Sequence, residues 1–380
     1  MKKKILMLLT NAFDPDPRVH QEAVALVDAG YHVTILCWDR DRKAKFRETI
    51  DGISTERVYV RSTHGRGATQ MLFLALFWIK ALLKGLYRDY DIVHCHDFDT
   101  LLPGFFLAKA KGAKLVYDSH ESYVDMLWHL PAWIRGIISA TENVLLKRTD
   151  LLITVGEKLE THLSERGAPR TCVVGNWKDP SKFEFPENRI LEEKKSLSIT
   201  DSQKVICFIA NLGHERQVPQ LIEAAKQNAG IFLVMGGNGP ARDLVEAAAD
   251  LYPNIHFLGY VHPSKVPLFT ALSDIVFYGF DPENPNARFS APNKLFEALA
   301  AGKAVITGDF GEIAKIVKET GCGIVLERYS EREIGDAIQS LSDGDLDACK
   351  ARSREASRER YCWDMARKTL LLEYGRLGNV

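Results

Sequence analysis

Ser290-Ala-Pro-Asn-Lys-Leu-Phe-Glu-Ala-Leu-Ala-Ala-Gly-Lys-Ala-Val-Ile306 reads as a helix that is capped, stopped and handed on to a strand. Ser290 or Ala291 starts it, Pro292 falls in the first turn, and Gly302 ends it before an apolar run of strand length. The same grammar extends outward. Short β-branched or Leu-rich runs alternate with helical patterns at 4–9, 32–37, 92–96, 114–117 and 151–154, and a second series follows at 205–210, 231–235, 255–257, 275–278, 304–307 and 323–326. Strands this apolar are buried on both faces, as parallel strands with helical crossovers are. The expected class is therefore α/β, with two Rossmann-like parallel-sheet domains. Asn176-Trp-Lys-Asp-Pro-Ser-Lys-Phe-Glu-Phe-Pro-Glu-Asn188, rich in proline and charge, separates the series and is the natural hinge. Domains are expected at 1–178 and 179–362, with an amphipathic helix of about 363–380 packing back on the first. The charged stretch 39–48 reads as solvated surface.

Bulk properties agree with two soluble lobes. A chain of 380 residues leaves room for two cores. Lys+Arg at 49 against Asp+Glu at 50 gives no basic excess for nucleic acid. The seven cysteines form no C-x-x-C pair and read as reduced thiols, so a cytoplasmic location is expected. The run Met71-Leu-Phe-Leu-Ala-Leu-Phe-Trp-Ile79 meets Lys80 and Lys84 before the ~20 residues a bilayer span needs, so no transmembrane helix is expected. With Trp128-His-Leu-Pro-Ala-Trp-Ile-Arg-Gly-Ile-Ile138 it leaves two readings open. Exposed, these aromatics and cations imply peripheral contact with the inner membrane face and a lipid-linked acceptor; buried, they are core helices.

In open parallel sheets, ligands bind beyond the carboxyl ends of the strands. At helical spacing Asn293, Lys294 and Glu297 share a face near a helix N-terminus, where backbone N–H groups favour an anion. Glu297 is suited to accept from two vicinal hydroxyls, and Lys294 to meet phosphate charge. Gly236-Gly-Asn-Gly-Pro240 follows a strand, and Gly237 and Gly239 would let the backbone approach a nucleotide closely. It lacks G-x-G-x-x-G with a following ribose acid, which argues against NAD, and there is no P-loop. His94 and His96 alternate onto one strand face, but no further ligand set has zinc-like spacing, so 94–97 reads as a cleft-lining loop.

The 290–297 segment resembles the nucleotide-sugar signature of retaining GT-B enzymes of glycosyltransferase family 4, in the branch with a Pro-Asn-Lys-Leu-Phe-Glu motif. Pro15-Asp-Pro-Arg-Val19, Asp91-Ile-Val-His94, Tyr117-Asp-Ser-His-Glu121, Gly236-Gly-Asn-Gly-Pro240 and His256-Phe-Leu-Gly-Tyr260 follow in family order across the chain. The resemblance implies two lobes facing a central cleft, a UDP- or GDP-sugar donor on the second, a glycan or lipid-linked acceptor on the first, and no metal or other cofactor. It implies Glu297 on the donor ribose. Glu297 matches the second of the family's two glutamates; the first, which contacts the transferred sugar or its phosphate, would fall at Phe289, so that carboxylate is missing, with Asn286, Glu283 or amides around Asn293 as replacements. In Ala210-Asn-Leu-Gly-His-Glu-Arg216, Arg216 fits the family's diphosphate-binding Lys, whereas Asn211 stands where Arg is usual; Gly213 belongs to the same loop. His120 would contact the donor sugar, with Asp118 and Glu121 weaker candidates. His120, Arg216 and Lys294 are thus the expected catalytic groups, and Arg18, Asp14 and His96 the acceptor-side ones. The departures at Phe289 and Asn211 keep two alternatives in play: a UDP-sugar 2-epimerase and a non-catalytic sugar-nucleotide-binding subunit.

Overall fold

The structure, a computed structural model, describes residues 3–14, 16–62 and 68–378. The chain divides into two compact units, Met1–Gly175 with Ala366–Val380, and Asn176–Met365.

Among the described residues the first unit holds eight strands: β1 (Lys4–Leu9), β2 (His32–Asp39), β3 (Arg47–Ile50), β4 (Ile53–Tyr59), β5 (Ile92–His96), β6 (Lys114–Ser119), β7 (Leu151–Thr154) and β8 (Thr171–Val173). They lie in the order β3-β4-β2-β1-β5-β6-β7-β8. All pairings are parallel except the β3–β4 hairpin. Residues 5–9 of β1 are all buried, as helical cover on both faces demands.

The second unit repeats the plan with β9 (Lys204–Ile209), β10 (Ile231–Gly236), β11 (Ile255–Phe257), β12 (Ile275–Tyr278), β13 (Ala304–Gly308) and β14 (Gly323–Leu326). Their order is β11-β10-β9-β12-β13-β14, all parallel. Ile206, Phe208, Leu233, Phe277 and Ile306 form one core against the helices after β9 and β14.

Two expectations need correction. Part of the charged 39–48 stretch is not free surface: residues 47–50 form β3, because its charges find partners across the hairpin. Arg47 Nε bonds to Glu56 Oε2 at 2.7 Å, and Glu48 pairs with the buried Arg57. Paired charges leave no apolar alternation to read. The decisive helix begins at Asn293 rather than Ser290 or Ala291, with Pro292 extended as its N-cap. The Ser290 hydroxyl lies 3.3 Å from that of Tyr278, so it does not cap the helix.

The C-terminal helix Trp363–Leu377 buries Ala366, Leu370 and Tyr374 completely in the first unit. Arg170 Nε pairs with Glu373 at 2.6 Å, and Tyr31 meets the Tyr374 ring edge-on. Leu370→Ala is expected to destabilise the protein by about 2–5 kcal/mol in urea unfolding. Leu372→Ala, on the exposed side of the same helix, is expected to leave the midpoint unchanged.

Candidate active site

Each sheet reverses its winding at one place, and there the loops at the strand ends diverge to leave room for a ligand. In the first sheet β1 has β2 on one side and β5 on the other; in the second, β9 lies between β10 and β12. The residues of interest gather beyond these strands.

In the first unit a buried polar cluster grows from helix Pro17–Asp28, whose N-cap Asp16 accepts from the backbone N–H groups of Arg18 and Val19. This start turns the Arg18 guanidinium inward. It donates to Asp118 at 2.9 and 3.3 Å and to Val174 O at 2.7 Å, and it pairs with Glu22 at 3.0 Å, one turn along the same helix. Asp118, near the end of β6, also lies 3.2 Å from His96 Nδ1 and 2.9 Å from His120 Nε2. His120 Nδ1 faces Asp97 Oδ2 at 3.3 Å, and the His120 backbone N–H donates to the other Asp97 oxygen.

Charges settle accordingly. Burial works against an imidazolium at His120, but Asp97 and Asp118 outweigh it and hold the pKa well above the ordinary value. Burial also works against an Asp118 carboxylate, yet Arg18 and His120 hold it well below the usual range. His94 goes the other way: burial, then neighbouring His96, lowers it to about 3, so it is neutral. Glu22 is pushed up by burial and by Asp118 despite Arg18. Its carboxylate, with His94, His96 and Asp118, makes a group of metal-ligand type, all four buried. The Arg18 guanidinium already lies on both carboxylates and does for them what a cation would do.

In the second unit the 3-10 turn His214–Arg216 follows β9. Arg216 donates to the Tyr278 hydroxyl at the end of β12, and its guanidinium lies 4.3 Å over the Phe280 ring and 5.4 Å over that of Tyr278. The Tyr278–Ser290 contact joins this arginine to the start of helix Asn293–Ala301, whose N-cap supplies no side-chain hydrogen bond to the first amides. Lys294 Nζ sits 2.5 Å from Glu297 Oε2, and Lys178 Nζ donates to Asn293 Oδ1 at 2.6 Å. Burial favours a neutral Glu297, but Lys294 and Lys178 prevail and hold it below the ordinary range, ionised. The loop after β10 is crowded: a Cβ on Gly237 would come 1.9 Å from Ala210 O, and Gly239 lies against Asn211 and Leu212. Both take φ values, 137° and 155°, that favour glycine.

Comparison with known proteins decides the family. Residues 15–177 match the family described as glycosyl transferase 4-like domain, and residues 189–360 match glycosyl transferases group 1. The chain belongs to glycosyltransferase family 4 and has the GT-B fold. A glycosyltransferase of Methanocaldococcus jannaschii is 26% identical over 365 residues, covering 92% of this chain and 90% of that one. Sucrose-phosphate synthase from Thermosynechococcus elongatus superposes with a TM-score of 0.81 at 15% identity over 99% of both chains. Anabaena HepE, solved with UDP and glucose, gives 0.75 at 17% identity over 98% of this chain and 100% of that one.

The structure of this glycosyltransferase brings some expected residues together and moves others away. Asn211, Gly213, Arg216, Gly237 and Gly239 sit on adjacent loops beyond β9 and β10, with Lys294, Asn293 and Glu297 on the helix reached through Tyr278. Phe289 is buried in the turn Pro285–Phe289, so the missing carboxylate has no replacement at that position; Glu283 and Asn286 lie on the same loop. Residues 94–96 are strand rather than cleft-lining loop. His96 is wholly buried and reaches the site through Asp118, because its ring stacks on His94 inside the sheet. The Arg18 donors point inward, whereas Asp14 is exposed on the loop after β1; Pro15 of the same motif lies outside the described residues. Glu22, Tyr278 and Tyr374 were not anticipated. The i,i+4 spacing of Arg18 and Glu22 was the one signal available for them.

The imidazolium at His120 gives a pH prediction. A raised pKa stabilises the fold fully below the ordinary imidazole value of about 6.5, and that contribution is lost only as pH rises through the folded value. The His120 ring protons are therefore expected to keep their charged chemical shift across neutral pH in NMR. In Asp97→Asn the titration is expected to fall towards the ordinary value. A His120 that titrates near 6.5 in the unaltered enzyme contradicts this assignment.

Proposed function

We propose that this glycosyltransferase takes a sugar from a nucleoside diphosphate sugar, UDP- or GDP-linked, and transfers it with retention to a glycan or lipid-linked acceptor, on the cytoplasmic side and in the synthesis of cell-surface polysaccharide, glycolipid or glycoprotein glycan. The observation that carries the reading is the anion site of the second unit. Arg216 is braced on two aromatic rings, the Tyr278–Ser290 contact links it to the start of the helix that carries Lys294, and that helix leaves its first amides without a side-chain cap. As the glycosidic bond breaks, negative charge grows on the leaving diphosphate, and donors fixed beforehand stabilise it without reorganising. Lys294 and Arg216 supply that charge from the protein, so the reaction needs no metal. Glu297, held ionised, accepts from the ribose hydroxyls. The UDP in HepE supports a donor of this class. We assign the acceptor to the first unit, where the loop after β1 and the charged His120 lie beyond the sheet's switch point.

A thermal-shift screen with UDP, GDP, ADP, CMP and dTDP is the first test, since a ligand at 100 times its dissociation constant stabilises by about 2.7 kcal/mol. One base is expected to stand out, with the same shift in EDTA. Arg216→Ala and Glu297→Ala each remove a charged hydrogen-bonding partner worth about 1.5–3 kcal/mol, so donor affinity is expected to fall by roughly 10- to 150-fold. Full affinity and turnover in both variants would sink the reading. Anomer-resolved NMR of the product tests retention, and an altered sugar nucleotide formed without acceptor would indicate epimerisation instead.

A further inference from the structure

Three helices of the first unit lie side by side: Ala68–Leu86 against Phe98–Lys111, and that helix against Ala132–Leu146. Their inner faces are ordinary core. Phe77 and Ala81 are fully buried, Phe77 stacks on Trp38, and Gly85 sits close enough to Leu107 that a Cβ would intrude at 2.7 Å.

Their outer faces are not ordinary. A surface helix normally turns polar residues to solvent. On the first helix the outward stripe is Leu72, Leu76, Ile79, Leu83 and Leu86, with Leu72 62% and Leu83 55% exposed. At 1.5 Å per residue it runs for about 21 Å. The third helix repeats the inversion with Trp133, Ile137 and Val144, exposed by 68, 59 and 62%. Phe106 is exposed on the middle helix, and Trp128 just before the third. Single exposed apolar residues are common; aligned stripes on neighbouring helices are a patch that needs a cover.

We propose that this face rests on an anionic bilayer surface. The charges choose the occupant. Lys80, Lys109, Lys111, Lys147 and Arg148 are exposed on or directly after these helices. The only acids within the three helices, Asp99 and Glu142, are directed inward, to Thr10 Oγ1 and to Tyr117 with Arg166. Cations flanking an apolar, tryptophan-bearing face suit lipid headgroups and the acyl boundary beneath them. The helix over Thr69–Leu86 is long and apolar enough to cross a bilayer. It lies on the surface instead, because Phe77 and Ala81 are locked in the core and the Trp78 indole donates to Asp99 O. The assignment rests on this face and not on the donor site, so its test needs no nucleotide.

The full chain is spun with vesicles of neutral phosphatidylcholine and with vesicles containing phosphatidylglycerol. The protein is expected to pellet with the anionic vesicles, at least about tenfold better than with neutral ones, and less so as salt is raised. Leu76→Glu with Leu83→Glu, and separately Ile137→Glu, are expected to lower that partition about tenfold while circular dichroism and nucleotide-induced stabilisation stay unchanged. Absence of vesicle binding, or binding equal in the variants, overturns the proposal. A dimer in sedimentation velocity that the same variants dissolve, without vesicle binding, would assign the face to a second copy instead.

Discussion

A guanidinium taken out of water has to be answered by carboxylates held at the right distance, and in the first unit much of the architecture follows from that demand. Arg18 reaches from the first helix to Asp118 on β6, to Glu22 beneath it and to the Val174 carbonyl just past β8. The loop after β1, the centre of the sheet and the end of the unit are thereby tied to one side chain. Removing either member of a buried pair leaves the other charge uncompensated, at a cost of about 3–5 kcal/mol. The same carboxylate that answers Arg18 also fixes His120, so this ring takes its charge and orientation from groups deep in the core.

The second unit achieves order by crowding rather than by buried charge. Gly237 and Gly239 pass so close to the 210–212 backbone that neither loop can move without the other. Arg216 is clamped between a hydroxyl and two rings, which removes much of the rotamer freedom an arginine would otherwise lose on binding. The exposed apolar face of the first unit is a separate matter, set by which side of three helices the sheet left uncovered.

The strands were legible because parallel strands buried on both faces are apolar without interruption, and the glycine after Ala301 marked a helix end that the structure shows at φ 65°. β3 and β4 escaped because charged side chains in them are satisfied by pairing, as with Arg47 and Glu56, and β8, Thr171–Val173, is too short to show a period. In the second unit Lys294 and Glu297 were singled out by helical spacing, whereas Arg216 was singled out by the family resemblance. Glu22 offered only its i,i+4 spacing to Arg18, and the role of Tyr374 could not be read at all, since its partner is far away: it lies 280 positions from His94, whose Nδ1 is 2.6 Å from its hydroxyl. A stripe such as Leu72, Leu76 and Ile79 is equally consistent with inward and outward placement until the sheet's position is known.

That last contact has a consequence for the order in which the molecule can be made. The first unit is built from two separate stretches, with the whole second unit between them, and Leu370 and Tyr374 fill its core from the later one. A ribosome delivers residues at roughly 5–20 per second, N-terminus first. The whole second unit therefore emerges, and can fold, while the sheet of the first still lacks a plug beside His94. Until the helix Trp363–Leu377 emerges, that gap stays open to water and to chaperones, and this helix acts as the closing stitch of a domain begun well before it.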